Sequence, residues 1–201
     1  MSTFDDRARE WDTPERQERA RALAAIIRTA VPLGATIRAI DIGAGTGLLG
    51  LELAPDVAEM VLAEPSAGML DVAREKLATG RWPNATAVAF DLESDVAPGR
   101  PFDLAISLLV LHHVADTAAA LGAIHALLVP GGRIALLDLD AEDGSFHDEG
   151  ATGIHHHGFE RERIEQVASS VGFTELGTRT AADIEREGRA YPLFLLTGRR
   201  A

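Results

Sequence analysis

Asp41-Ile42-Gly43-Ala44-Gly45-Thr46-Gly47 sets a carboxylate and three alternating glycines where a β-rich run gives way to a helical one. Glycine adopts positive φ at no steric cost and lets a ligand approach the backbone closely. The helix that follows offers free N–H groups at its start. In an open α/β sheet such a turn is where nucleotides bind. A plain strand–helix turn is the competing reading. Glu64 closes the next β-rich run and suits the hydroxyls of a ribose.

Two registers compete for the loop. Gly45-x-Gly47-x-x-Gly50 fits the dinucleotide fingerprint. Asp41-x-Gly43-x-Gly45-x-Gly47 fits the S-adenosylmethionine fingerprint, in which an acid precedes the first glycine. Glu64 lies 19 residues after Gly45 and 21 after Gly43, so it serves either register and leaves both open.

A second group of reactive side chains comes later. His112 and His113 follow an apolar run. Asp138, Asp140, Glu142, Asp143 and His147 follow another, and His155, His156 and His157 precede a helical segment. Histidines and carboxylates together are metal-ligand material, and imidazole is a general base near neutral pH. Three consecutive histidines cannot all point one way. A loop that folds down over the domain, a substrate pocket and a metal site all remain open for them. His112 and His113 read equally as packing and helix-start residues.

The elements that must position these groups alternate. Thr13-Pro14 opens a helix to about Ala30, with Thr13 as its cap. Thr36–Asp41 is a strand, Leu48–Ala54 a helix stopped by Pro55, and Glu59–Glu64 a strand. Ser66 caps a helix to about Thr79, ended by Gly80. Ala85–Phe90 and the apolar run Phe102–Leu109 are strands, the latter with the pattern of a buried parallel strand. Thr117–Val129 is a helix ended by Pro130-Gly131-Gly132, and Arg133–Leu139 a strand. Arg161–Val171 is a helix, and Phe173–Thr180 and Tyr191–Thr197 are late strands placed to pair antiparallel. Alternation of this kind means a parallel sheet with helices on both faces.

Composition bounds the rest. The 201 residues suit one domain, with 46% hydrophobic and 25% charged residues. The absence of cysteine excludes disulfides, thiolate metal sites and a cysteine nucleophile. The net charge of −12 opposes a nucleic-acid partner. The start lacks an apolar signal region and no stretch is long enough to span a bilayer, so a cytoplasmic protein without a membrane partner is expected.

Several segments together resemble the class I S-adenosylmethionine-dependent methyltransferases. Ala39–Gly50 resembles the first motif of that family, and Glu64-Pro-Ser-Ala-Gly-Met-Leu70 the second. Phe90-Asp91-Leu92 resembles the third. Phe102–Ser107 with Leu111-His-His-Val-Ala-Asp116 resembles the fourth strand and its turn, and Leu128–Arg133 the turn before the fifth. Phe4-Asp5, Trp11-Asp12, Glu142–His147, His156–Phe159 and Tyr191–Leu196 are similar to a small bacterial type 11/12-like group whose acceptor is unassigned. Glu64-Pro65 departs from the family's more frequent aspartate, and glutamate binds two ribose hydroxyls equally well.

The resemblance selects the S-adenosylmethionine register. It implies a Rossmann-like doubly wound sheet of about seven strands, mostly parallel with an antiparallel last strand. It implies one domain over 1–201: an N-terminal helical lid at 1–33, a cofactor core at 36–140, and a substrate-side loop with C-terminal strands at 141–201. It implies cofactor contacts from Asp41, Gly43, Ala44, Gly45, Gly47, Glu64, Pro65, Met69, Asp91, Leu92 and Leu108. Phe4 and Trp11 belong to the lid or pack on the domain. His147 and His156, in the group-like motifs, and then His113 are the candidates for catalysis; no metal ligands are assigned. The implied reaction is in-line transfer of a methyl group to a small-molecule acceptor, by a monomer or homodimer. A non-catalytic S-adenosylmethionine-binding protein and a nicotinamide (NAD)-dependent oxidoreductase are the alternatives.

Overall fold

The sheet has seven strands in the order β3-β2-β1-β4-β5-β7-β6. In this computed structural model residues 3–95, 98–148 and 150–201 are described. The strands are β1 (Gly34–Ile42), β2 (Val57–Glu64), β3 (Ala85–Ala89), β4 (Phe102–Leu108), β5 (Leu128–Leu139), β6 (Phe173–Arg186) and β7 (Arg189–Arg200). The first five run parallel, and β7 is antiparallel to both its neighbours, β5 and β6. Doubly wound chains place the crevice where the order reverses, here between β1 and β4.

Helices cover both faces. Alternate strand residues divide the core: Ala39, Leu104, Ile106 and Leu137 point to one side, Ile40, Ala105, Ile134 and Leu136 to the other. The first side packs against α2 (Pro14–Ala30), α3 (Leu48–Leu53) and α4 (Ala67–Leu77). The second packs against α5 (Thr117–Leu127) and α6 (Arg161–Ser170).

The caps follow the side chains. Thr13 Oγ1 accepts from the Arg16 N–H, and Ser66 Oγ from the Met69 N–H. Asp116 accepts from the Ala118 and Ala119 N–H groups and starts α5. Each such cap is worth about 1 kcal/mol.

Four elements differ in extent from the sequence expectation. Helix α5 stops at Leu127, and β5 already begins at Leu128 and runs through Pro130-Gly131-Gly132. Phe102 pairs with Leu128 but Leu104 with Arg133, so the Pro-Gly-Gly segment is a bulge inside the strand. Strands β6 and β7 are far longer than the expected 173–180 and 191–197. They continue as a ribbon turned by Glu187 and Gly188, both at positive φ. Helix α1 (Thr3–Arg7), followed by a 3-10 turn at Ala8–Glu10, falls within the helical N-terminal segment expected at 1–33. Among the described residues no helix is long and apolar enough to cross a membrane.

Candidate functional site

The carboxyl ends of β1, β2, β4 and β5 form one edge, and the reactive groups gather there. Gly43, Gly45 and Gly47 all take positive φ, at 62°, 57° and 85°. A Cβ on Gly43 would lie 2.5 Å from Val110 Cγ2, so the loop passes directly against the segment after β4. Gly50 is held for a different reason. Its Cβ would meet Leu62 and the Asp41 carboxylate, because Asp41 Oδ2 accepts the Gly50 N–H at 2.9 Å. Asp41 is fully enclosed, and burial pushes its carboxyl up to about 8; Glu64 adds to the rise and the Gly50 N–H opposes it.

Glu64 spans the two ends of this cradle. Its Oε2 accepts the Gly45 N–H at 2.7 Å and its Oε1 the Ser66 N–H at 2.8 Å. Burial raises its carboxyl above the ordinary range, against the pull of the two N–H groups. Each oxygen keeps a further lone pair for a ligand hydroxyl. Ala44 bonds through its N–H to Ala63 O, Met69 is buried in α4, and Pro65 is exposed between them. Asp91 accepts from the Glu93 N–H and the Ser94 hydroxyl and so shapes the turn after β3. Leu92 is buried beneath that turn, and Leu108 ends β4 half-buried. Leu109 then takes φ 59° and donates its N–H to Leu137 O.

The N-terminal segment lies across the loop. Asp5 Oδ1 accepts from Ser66 Oγ at 2.6 Å and from the Gly68 N–H at 2.8 Å, at the start of α4. Asp12 accepts from the Thr46 hydroxyl and pairs with Lys76, whose Nζ also donates to Thr46 O. Trp11 Nε1 stands 3.9 Å from the position a Cβ on Gly45 would take, and the Arg16 guanidinium covers its ring.

An unbroken row of rings starts at Trp11. Phe4 meets Trp11 at 5.8 Å and His113 at 5.4 Å, both edge-on. His113 lies 4.1 Å from His112 and 5.9 Å from His147. His147 continues to Phe146 at 4.9 Å, and Phe146 to Tyr191 at 5.2 Å. Beneath the row, His112 Nδ1 meets Asp138 Oδ1 at 2.7 Å, both side chains being 1% exposed. Asp138 also accepts the His112 and Leu139 N–H groups.

The structure therefore brings His113 and His147 together with the buried His112–Asp138 pair. His156 is apart from them, with Nε2 3.2 Å from Thr117 Oγ1 and its ring on Phe159. The three consecutive histidines diverge. The N–H groups of His155 and His156 both donate to His112 O, while His157 faces Glu142. Burial draws His147 down to about 4, with His112 and His113 adding to the effect. Its Nε2 is enclosed and has no hydrogen-bond partner among the described residues. Among the described residues no group of three histidines or carboxylates is arranged to hold a metal ion.

The loop that carries His147 is held from the far ribbon. Arg186 donates to Phe146 O and pairs with Asp148, Arg189 pairs with Asp143 at 2.8 Å, and Tyr191 meets Ser145. The His112–Asp138 pairing escaped sequence reasoning, although both residues were in view. Its signal was a histidine just past one apolar strand and an aspartate near the end of the next.

Comparison with known proteins follows the geometry. A family model described as a methyltransferase domain matches residues 15–178. A protein of Mycobacterium bovis named an uncharacterized methyltransferase is 33% identical over 115 residues, covering 56% of this chain and 55% of that one. The chain thus spans about half the length of the curated relatives it matches. The structure resembles phosphoethanolamine N-methyltransferase 2 of Haemonchus contortus in complex with S-adenosyl-L-methionine. The TM-score is 0.73 at 17% identity, over 89% of this chain and 52% of that one. It also resembles a SAM-dependent methyltransferase from Aquifex aeolicus, with a TM-score of 0.72 at 15% identity, over 98% of both chains.

Proposed function

This chain belongs to the methyltransferase-domain family, and from that premise we propose that it binds S-adenosylmethionine and transfers its methyl group to a small-molecule acceptor. One observation carries the reading. Glu64 holds the glycine loop and the start of α4 together through the Gly45 and Ser66 N–H groups. Its remaining lone pairs lie at the end of β2, where a ribose would present two hydroxyls.

The residues suit the cofactor. Gly43, Gly45 and Gly47 leave the backbone bare for close approach, and Asp41 braces the loop through Gly50. Ala44, Pro65 and Met69 flank the ribose position, Asp91 and Leu92 the adenine side, and Leu108 the opposite wall. S-Adenosylmethionine supplies, when bound, a methyl group on a sulfonium. The protein's part is to align an acceptor with that methyl and to exclude water. Trp11, Asp12 and Asp5 form the cover for this purpose. His113, His147 and His156 are the proton-accepting candidates on the acceptor side, and no metal is invoked.

The net charge of −12 supports a small-molecule acceptor over nucleic acid. A monomer or homodimer working in the cytoplasm fits this picture. Calorimetric titration with S-adenosylmethionine, S-adenosylhomocysteine and NADH tests it. Micromolar binding of both adenosyl ligands and none of NADH is the expected result. Binding of NADH alone would overturn the reading in favour of the other glycine register. Binding of the adenosyl ligands without turnover on any acceptor would favour a non-catalytic binding protein.

A further inference from the structure

The segment after β5 grips the turn after β4 and fixes which ring nitrogen of His113 carries hydrogen. His113 Nδ1 lies 2.8 Å from Gly153 O. A carbonyl oxygen only accepts, so the hydrogen is on Nδ1 and the lone pair on Nε2. Asp138 fixes His112 in the same sense. His112 is enclosed, whereas His113 is only half-buried. On its other side His113 meets Phe4, which is 36% exposed and touches Trp11 beside Gly45. The imidazole thus lies between the buried pair and an aromatic wall over the glycine loop.

We propose that the methyl acceptor is a flat compound bearing a weakly acidic hydroxyl, phenolic or enolic, and that His113 Nε2 takes the hydroxyl proton. The proposal rests on the S-adenosylmethionine reading above. As the O–H bond breaks, its proton passes to Nε2. The oxygen pair forms the bond to the methyl carbon, and the carbon–sulfur bond breaks with its pair left on sulfur. The imidazolium then returns its proton to water.

The surroundings favour this acceptor over others. An amine calls for a free and accessible carboxylate, but Asp138 already accepts three hydrogen bonds, and Glu142 Oε2 accepts the Gly144 and Phe146 N–H groups while its Oε1 is enclosed and faces His157 Nδ1 at 3.5 Å. A carbon acid calls for donors to an enolate oxygen, and Arg186, which bears on His147, is committed to Phe146 O and Asp148. Burial pulls His113 below its ordinary value. His112 and His155 add to this, and the Gly153 carbonyl and Asp138 oppose it. Its lone pair is therefore available at neutral pH.

Two measurements test the proposal. In the full chain with S-adenosylhomocysteine bound, ¹⁵N ring spectra at pH 7 are expected to show His113 neutral with hydrogen on Nδ1. Hydrogen on Nε2 would overturn it. In turnover, a panel of phenols, enols, amines and thiols is offered with S-adenosylmethionine. Methylation of hydroxyls is expected, with kcat/KM rising with pH through an ionisation below 6.5. His113→Gln is expected to lower kcat by about 10²–10⁴-fold on a phenol that is un-ionised at the assay pH, and far less on one already ionised. Equal losses on both phenols, or transfer to none of the hydroxyls while the cofactor binds, would overturn the proposal. Failure of either adenosyl ligand to bind wild type would instead overturn the cofactor reading, and this proposal with it.

Discussion

The His112 imidazole and the Asp138 carboxylate meet at 2.7 Å inside the core and tie the carboxyl ends of β4 and β5 together. Removing one member of a buried pair leaves the other without compensation. Asp138→Ala would also orphan the His112 and Leu139 N–H groups. The expected loss of unfolding free energy is about 3–5 kcal/mol, read by urea denaturation. A loss below about 1 kcal/mol would mean that the pair contributes little beyond a surface contact.

Glu64→Ala should weaken binding of S-adenosylmethionine by about 10–100-fold, the worth of hydrogen bonds to a charged acceptor. Calorimetry measures it directly. Unchanged affinity would remove Glu64 from the ribose site.

Asp41 gives a pH signature in stability. Its folded carboxyl titrates at about 8 and an unfolded one near 3.8. Between those values the folded state holds the proton more firmly. Its contribution is therefore complete below about 4 and is lost as pH rises through 8. Asp41→Asn keeps an acceptor for the Gly50 N–H and removes the titration. Its melting temperature relative to wild type should climb from pH 4 to pH 8 and then level off. A difference that stays flat across that range would rule out the burial effect.

His147 has the opposite sign. It titrates at about 4 when folded and at its ordinary value, 6.5, when unfolded. The unfolded state binds more protons in that window, so stability is full above 6.5 and falls as pH drops toward 4. His147→Asn should show a shallower acid limb in a melting series. An unaltered limb would mean that the ring titrates normally.

Much of the frame was legible because its signals are local. Thr13-Pro14 and Ser66 cap their own helices, and spacing marks the glycine loop and Glu64 as a nucleotide-type turn, while the resemblance selects its register. The features that escaped depend on distant partners. The helical N-terminal segment reads from the sequence, but its anchorage does not: Asp5 reaches Ser66 and Gly68, more than sixty positions away. The polar run from Ala181 to Ala190 reads as a linker, and becomes strand only because its two halves pair across Glu187-Gly188. The bulge at Pro130-Gly131-Gly132 needs β4 alongside it to exist. His155 and His156 hold His112 through amides that any residue type other than proline carries, so that contact leaves no mark on residue type.

The strand order β5-β7-β6 has a consequence for how the molecule is made. During synthesis β6 leaves the ribosome before β7, yet among the described residues its only neighbour in the sheet is β7. Until β7 arrives, β6 has helix α6 to pack on but no strand to pair with, and the side of β5 stays open, exposing backbone that pairs readily with other chains. When β7 inserts, it closes that edge and delivers Arg189 and Tyr191 to the loop that carries His147. Strand β7 therefore completes both the sheet and the anchorage of the loop that carries His147, so a nascent chain stalled before Arg189 would lack both.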